Sequence, residues 1–348
     1  MRILILKPSS LGDVVQALPV LRLLRRQFPE AGIYWWIDVD LSPLLVGDRD
    51  LTGLLLFHRR RWSSPLHWHE VVQHVLHLRE LHFDWVIDLQ ALARSGLVAW
   101  LAGGALTVGL DDAREGATAL YDLRVPRASY HTHAVDWYLD VLRALGVPVD
   151  ADFEWLPERP SVAEAVRRKW PVGDHTWVAV QPGARWANKR WPVESYAEVV
   201  RKLSGDIPGA RFVVLGGASD ANLGAAIART MPGKCLDLTG RTSLPEMVEW
   251  LRLSDALIIN DSGPMHVAAA LGKPVIAVFG PTEPRRTGPY GQIHHAIRHP
   301  LPCAPCLKSH CSRLSPLECL RAIPPEPVYE QARARLAEAA CRGSRAGG

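Results

Sequence analysis

The chain has 348 residues, 48% of them hydrophobic and 22% charged, which excludes a disordered or fibrous protein and leaves room for two domains of ordinary size. A formal net charge of only +4 is too weak to mark a nucleic-acid binder, so no nucleic-acid partner is expected. No apolar run is long enough to span a bilayer, no export signal follows Met1-Arg2, and six cysteines without such a signal point to a reducing cytoplasm.

In chain order, residues 2–6 read as a buried strand, residues 7–13 as a polar, glycine-containing turn, and residues 14–28 as a helix with apolar positions at Val14, Leu18, Leu21, Leu24 and Phe28. The turn has neither dinucleotide-fingerprint nor P-loop spacing. It does put a carboxylate, Asp13, beside a helix start at a strand's carboxyl end. Either Asp13 complements the helix dipole, or it is a general base facing a cleft. Residues 32–38 give a second strand, with helical material expected after it. Basic clusters occur at Arg22, Arg25, Arg26 and at Arg59, Arg60, Arg61, and residues 57–82 are rich in Arg, His and Trp. That segment is either a solvated basic helix face or a surface for anionic sugars, phosphates or lipid head groups. Several of the thirteen tryptophans lie in such polar surroundings, suited to stacking on ligands or to a lipid surface. Strands follow at 85–89, with Gln90, Arg94 and Ser95 after its end, and at 106–110. A helix runs from about 131 to 145. Repeated β-α units of this kind predict a parallel sheet.

Residues 146–171 are proline-rich around one short helix at 162–170, and read as a hinge. The pattern restarts with strands at 177–181, 212–215 and 236–238 and helices at 195–203, 222–230 and 243–253. Residues 256–284 compress a strand, a helix and a strand into nearly the shortest crossover a parallel sheet allows. Asp261, Ser262 and Gly263 open its helix, and Gly280, Pro281 and Thr282 follow its second strand. A helix start with free N–H groups suits an anion, and the two loops bracketing one crossover favour a diphosphate site over a plain helix cap. Lys189, after a Pro-Gly-Ala turn, is either a surface lysine or a point charge for a phosphate oxygen. Two such arrays predict two α/β domains, 1–160 and 161–325, facing a central cleft, with a C-terminal helix at 326–342 returning to the N-terminal domain.

Cys303, Cys306, Cys311 and Cys319 fall in one short segment whose first pair has zinc-knuckle spacing. Reduced thiols, a structural metal site and a disulfide are the three readings, the disulfide last.

The motifs at Lys7–Asp13, Gln181–Ala184, Lys189–Pro192, Asn260–His266 and Phe279–Thr282 resemble those of the ADP-heptose:lipopolysaccharide heptosyltransferases, glycosyltransferase family nine, in the family's order over nearly the whole chain. The resemblance implies the GT-B fold, with two Rossmann-like domains. It also implies inverting, cofactor- and metal-independent transfer of heptose from ADP-heptose to a Kdo or heptose of the lipopolysaccharide inner core. By position, Asp13 resembles the catalytic base, and Lys189, Asp261, Ser262, Gly263, His266 and Thr282 the donor-binding set. Ser10, Gly12 and Arg94 match the acceptor side. The lipid-borne acceptor implies a cytoplasmic protein held peripherally at the inner membrane. The loop at Arg185–Asn188 departs from the hydroxyl-rich loop of heptosyltransferase I enzymes, and the cysteine segment is more like that of heptosyltransferase II. A GT-B enzyme using another nucleotide sugar, or an inactive glycan- or lipid-binding relative, is the alternative.

Overall fold

The structure, a computed structural model, describes residues 1–112, 115–150 and 153–346, with side chains through residue 339. Two compact units emerge, Met1–Pro157 and Glu158–Gly348, and the boundary falls in the proline-rich stretch.

The first unit runs β1 (Arg2–Leu6), α1 (Leu11–Gln27), β2 (Gly32–Asp38), β3 (Gly53–Phe57), α2 (Arg59–Trp62), α3 (Trp68–Glu80), β4 (Trp85–Asp88), α4 (Ala93–Ala102), β5 (Leu106–Leu110), β6 (Leu123–Val125) and α5 (Ala134–Ala144). Its strands form one parallel sheet in the order β3-β2-β1-β4-β5-β6. Ile3, Leu4, Ile5 and Leu6 of β1 are fully buried, as expected of a central strand covered by helices on both faces.

The second unit runs α6 (Pro160–Lys169), β7 (Thr176–Gln181), α7 (Val193–Asp206), β8 (Ala210–Val214), α8 (Ala221–Ala228), β9 (Cys235–Asp237), α9 (Leu244–Leu253), β10 (Ala256–Asn260), α10 (Gly263–Ala270), β11 (Val275–Phe279), α11 (Pro284–Thr287), β12 (Ile297–Arg298), α12 (Glu318–Arg321) and α13 (Pro325–Ala346). Its parallel sheet has the order β12-β11-β10-β7-β8-β9. In each sheet the strand order reverses once, between β1 and β4 and between β7 and β10. Open α/β sheets bind ligands beyond the strand ends at that reversal.

Three strands escaped the pattern reading. β3 lies where helical material was expected, because Leu54-Leu55-Leu56 is an apolar run that strand and helix periodicities fit equally. β6 and β12 are short edge strands with few apolar residues. Val328, Tyr329, Ala332 and Leu336 of α13 belong to the second unit's core with α7 and the sheet. In the first basic cluster Arg22 is buried and Arg25 half-buried, while Arg26 is exposed. Arg22 is 7% exposed and clasps Asp48 and Asp50, while Arg25 donates to the carbonyl oxygens of Asp50, Pro29 and Ala31. The arginines at 59–61 have a different setting, described below.

Candidate active site

In the first unit the loop after β1 lies beside the end of β4, where Leu6 pairs with Asp88. Asp13 is the third residue of α1. Its Oδ2 accepts from the Ser10 backbone N–H at 2.9 Å and the Ser10 hydroxyl at 2.6 Å. These bonds close the first turn of α1 and hold the carboxylate at the strand-order reversal, half-buried and still solvent-accessible. Gly12 is buried one residue before it. Lys7, 3% exposed, donates to the Leu89 carbonyl at 2.7 Å and lies 4.9 Å over the Tyr138 ring. Burial works against its charge, but Tyr138, Asp13 and Asp88 outweigh burial and leave its pKa raised. Asp88 is fully buried. It accepts from the N–H groups of Gln90 and Ala91 and from the Tyr121 hydroxyl at 2.7 Å, while burial pushes its pKa up. Gly109 makes that hydroxyl contact possible, since a Cβ there would meet the Tyr121 ring at 2.2 Å.

Two arginines approach the same strand ends. The Arg59 guanidinium donates to the Ser9 hydroxyl and lies 3.4 Å from Asp38. Arg94, exposed in the first turn of α4, stacks over Phe57 with its guanidinium carbon 5.5 Å from the ring centroid. The sequence reading singled out Asp13, Ser10, Gly12 and Arg94. It gave no site role to Lys7 or Asp88 and placed Arg59 only in the basic segment; Asp88 and Arg59 come to the loop through the pairing of β4 and of β2 and β3 in the sheet.

In the second unit four loops converge on the ends of β7, β8, β10 and β11. Asn260, fully buried at the end of β10, ties two of them together: its Oδ1 accepts from the Trp191 N–H at 2.9 Å and its Nδ2 donates to the Pro182 carbonyl at 2.7 Å. Asp261 is 6% exposed, and one of its oxygens accepts from both Lys189 Nζ at 2.6 Å and Thr282 Oγ1 at 2.5 Å. Lys189 also lies 4.8 Å over the Trp186 ring. Ser262 caps α10 in extended backbone without a side-chain cap bond, and its hydroxyl is buried without a hydrogen-bond partner. The Gln181 Oε1 at the end of β7 is buried and unpartnered too. Orphaned buried polar atoms are rare in folded proteins, and at a helix start they suit an oxygen-rich anion. His266 lies one turn into α10 and is 9% exposed. Thus Lys189, Asp261, Ser262, Gly263, His266 and Thr282, six residues separated by up to 93 positions, are brought together at these strand ends.

The structure adds Asp220. Its carboxylate accepts from the Gly217 N–H at 3.0 Å, lies 3.5 Å from Arg190, and packs so closely on Gly183 that a Cβ there would meet it at 2.3 Å. A pocket of about 380 Å³ opens beside Thr282, lined in part by Glu283, Arg285, Arg298 and His299. Hydrogen bonds from Arg285, with Arg298 nearby, hold the Glu283 carboxyl below its usual range.

The cysteine segment supports neither a metal nor a disulfide. Cys303, Cys306, Cys311 and Cys319 are free thiols, and among the described residues no group of three or more His, Cys, Asp or Glu side chains is arranged to hold a metal ion. Cys319 lies beside Gly280, where burial first and then the neighbouring Cys311, Cys306 and Cys303 raise its pKa, while Cys306 is exposed.

Comparison with known proteins agrees with this arrangement. Residues 71–315 match the family described as glycosyltransferase family 9 (heptosyltransferase). The chain is 28% identical over 324 residues to lipopolysaccharide heptosyltransferase 1 of Pseudomonas aeruginosa, covering 90% of this chain and 88% of that protein. It is 28% identical over 312 residues to lipopolysaccharide heptosyltransferase 2 of Escherichia coli, covering 86% and 88%. The solved structure of E. coli ADP-heptose LPS heptosyltransferase II superimposes with a TM-score of 0.77 at 25% identity, over 97% of this chain and 99% of that one. E. coli heptosyltransferase WaaC with ADP superimposes with a TM-score of 0.76 at 24% identity, over 96% and 100%, and shares the fold.

Proposed function

The chain belongs to glycosyltransferase family 9, the heptosyltransferases, and from that premise we propose that it moves heptose from ADP-heptose to the inner core of lipopolysaccharide. It is a glycosyltransferase of the GT-B type, built from two Rossmann-like units. The observation that carries the donor reading is the cluster at the start of α10: Lys189 and Thr282 converge on Asp261 beside the unpartnered Ser262 hydroxyl. Related structures hold ADP or ADP-2-deoxy-2-fluoro heptose, which supports a nucleotide diphosphate as the anion.

In this reading Asp13 takes the proton of the acceptor hydroxyl, whose oxygen attacks the anomeric carbon of the heptose. The bond from that carbon to the β-phosphate oxygen breaks, and ADP leaves with the electron pair. Positive charge at the leaving oxygens comes from Lys189 and the N–H groups that open α10. Thr282 and His266 complete the donor contacts, and Ser10, Gly12 and Arg94 lie on the acceptor side. The pocket beside Thr282 offers Glu283, Arg285 and Arg298, groups that suit sugar hydroxyls. The acceptor is a Kdo-lipid A or heptosyl-Kdo-lipid A molecule.

The test is a matrix of donors (ADP-heptose, UDP- and GDP-sugars) against both acceptors, read as nucleoside diphosphate released and as acceptor mass gained. Gain of one heptose unit with ADP-heptose supports the reading. Turnover with UDP- or GDP-sugars alone, or none with any pair, overturns it.

A further inference from the structure

The largest apolar groups left in water are not scattered. Leu66, Trp68, Val72 and Leu76 are between 54% and 82% exposed, and the last three occupy positions i, i+4 and i+8 of α3, which places them on one stripe. The opposite side of the same helix faces the sheet, where Leu78 is fully buried and His74 accepts from Trp36. The stripe is therefore not misplaced core but a second apolar face. The neighbouring helix α4 repeats the feature, with Leu97 and Trp100 at i and i+3 exposed by 47% and 57%. Soluble proteins rarely leave adjacent apolar stripes of this kind without a use.

Charge identifies the occupant. Residues 59–80 hold four arginines against two glutamates. Arg61 and Trp62 both engage Glu70, removing one of the two acids from the surface field. Arg60 and Arg79 are exposed, as is Arg94 on α4, and His69 and His77 form the polar edge of α3. Leucine and valine bordered by tryptophan and basic side chains match the composition of helices that lie in the head-group layer of a bilayer. We propose that the outward face of α3 and α4, centred on Trp68, Val72 and Leu76, docks on a bilayer rich in anionic lipid. Arg60, Arg79 and Arg94 contact the phosphates while the stripe enters the interface. This deepens the reading given under Proposed function, because a lipid-borne acceptor is met at a membrane surface. Among the described residues no helix is long and apolar enough to cross a membrane, so the attachment is peripheral.

The experiment is flotation of the purified full chain with vesicles of phosphatidylethanolamine and phosphatidylglycerol, and with vesicles of phosphatidylcholine alone. The wild type floats with the anionic vesicles and not with the neutral ones. The triple variant Trp68→Ser, Val72→Ser, Leu76→Ser loses about tenfold or more in partitioning, and Leu97→Ser with Trp100→Ser loses a smaller factor. All five positions are exposed, so both variants keep the wild-type circular dichroism and ADP affinity. Transfer to a soluble, deacylated acceptor is unchanged in the triple variant, while transfer to acceptor embedded in vesicles falls. Wild type that fails to float, or a triple variant that floats equally well, overturns the proposal. So does a light-scattering mass that drops from two copies to one in the variant. Flotation without any sugar transfer would sink the enzymatic reading and leave the docking surface standing.

Discussion

Lys189 Nζ lies 2.6 Å from Asp261 Oδ2, and the Thr282 hydroxyl donates to that same oxygen. The carboxylate thus organises two donors, one of them cationic, at the mouth of the second sheet. It carries the wrong sign to be a phosphate ligand itself, and the cation beside it carries the right one. In the proposed reading Asp261 is a positioning group, and Lys189 the anion contact.

The first expected outcome follows. Lys189→Met weakens ADP about tenfold or more, the loss of one charge-assisted hydrogen bond. Asp261→Asn leaves ADP affinity within about threefold, because the amide oxygen still accepts from Thr282 and the lysine loses a competitor. Calorimetric titration of both variants decides it. If Asp261→Asn weakens ADP as much as Lys189→Met does, the division of roles is wrong.

Asp13→Asn keeps an oxygen that accepts from the Ser10 N–H, so the start of α1 stays capped. What it removes is the proton acceptor. Turnover should fall about a thousandfold while ADP binding and the melting temperature hold. A comparable drop in ADP affinity would take Asp13 out of the base role.

Lys7 holds a buried positive charge that is stabilised in part by Asp13. The coupling is reciprocal, so the lysine favours the ionised carboxylate. Lys7→Met should lower turnover and move the acidic limb of the rate–pH profile toward higher pH. ADP binding, which uses the other unit, should not change. A uniform loss of rate with an unmoved acidic limb would show that Lys7 only supports the fold.

His74 accepts from the Trp36 indole N–H at 3.0 Å. Burial first, then His77 and His58, lowers its pKa from 6.5 to about 4. Between those values the unfolded chain binds the extra proton and the folded chain does not, so stability is full above 6.5 and falls as pH drops toward 4. With its partial exposure discounted, the loss is on the order of 1–2 kcal/mol. Urea unfolding at pH 7 and at pH 4.5 should show this difference in the wild type. His74→Gln, which retains an acceptor for Trp36 and cannot titrate, should reduce it by about that amount. An undiminished difference in the variant would assign it to other groups.

Asn260→Ala leaves the Trp191 N–H and the Pro182 carbonyl without their buried partner. The expected cost is about 2–4 kcal/mol in unfolding free energy, together with weaker ADP binding, since the loop that carries Lys189 loses its tie to the end of β10. Unfolding free energy within about 0.5 kcal/mol of the wild type would mean that the loops are held by other contacts.

The sequence by itself determined the two parallel β-α arrays, the proline-rich stretch between them, and the compressed β10-α10-β11 crossover. Those features are local. A strand buried on both faces needs an unbroken apolar run, as in Ala256-Leu257-Ile258-Ile259, and a helix start needs a cap and free N–H groups, as at Ser262. Tertiary structure alone decided which of the polar residues meet. Lys189 and Asp261 are 72 positions apart and touch because β7 and β10 are neighbours at the strand-order reversal. Lys7 reaches Leu89 across 82 positions because β1 lies beside β4. The same long-range pairing turned the apolar run at 54–56 into a strand and buried Arg22 between two aspartates. No local pattern encodes strand order, because it is set by how whole layers cover one another.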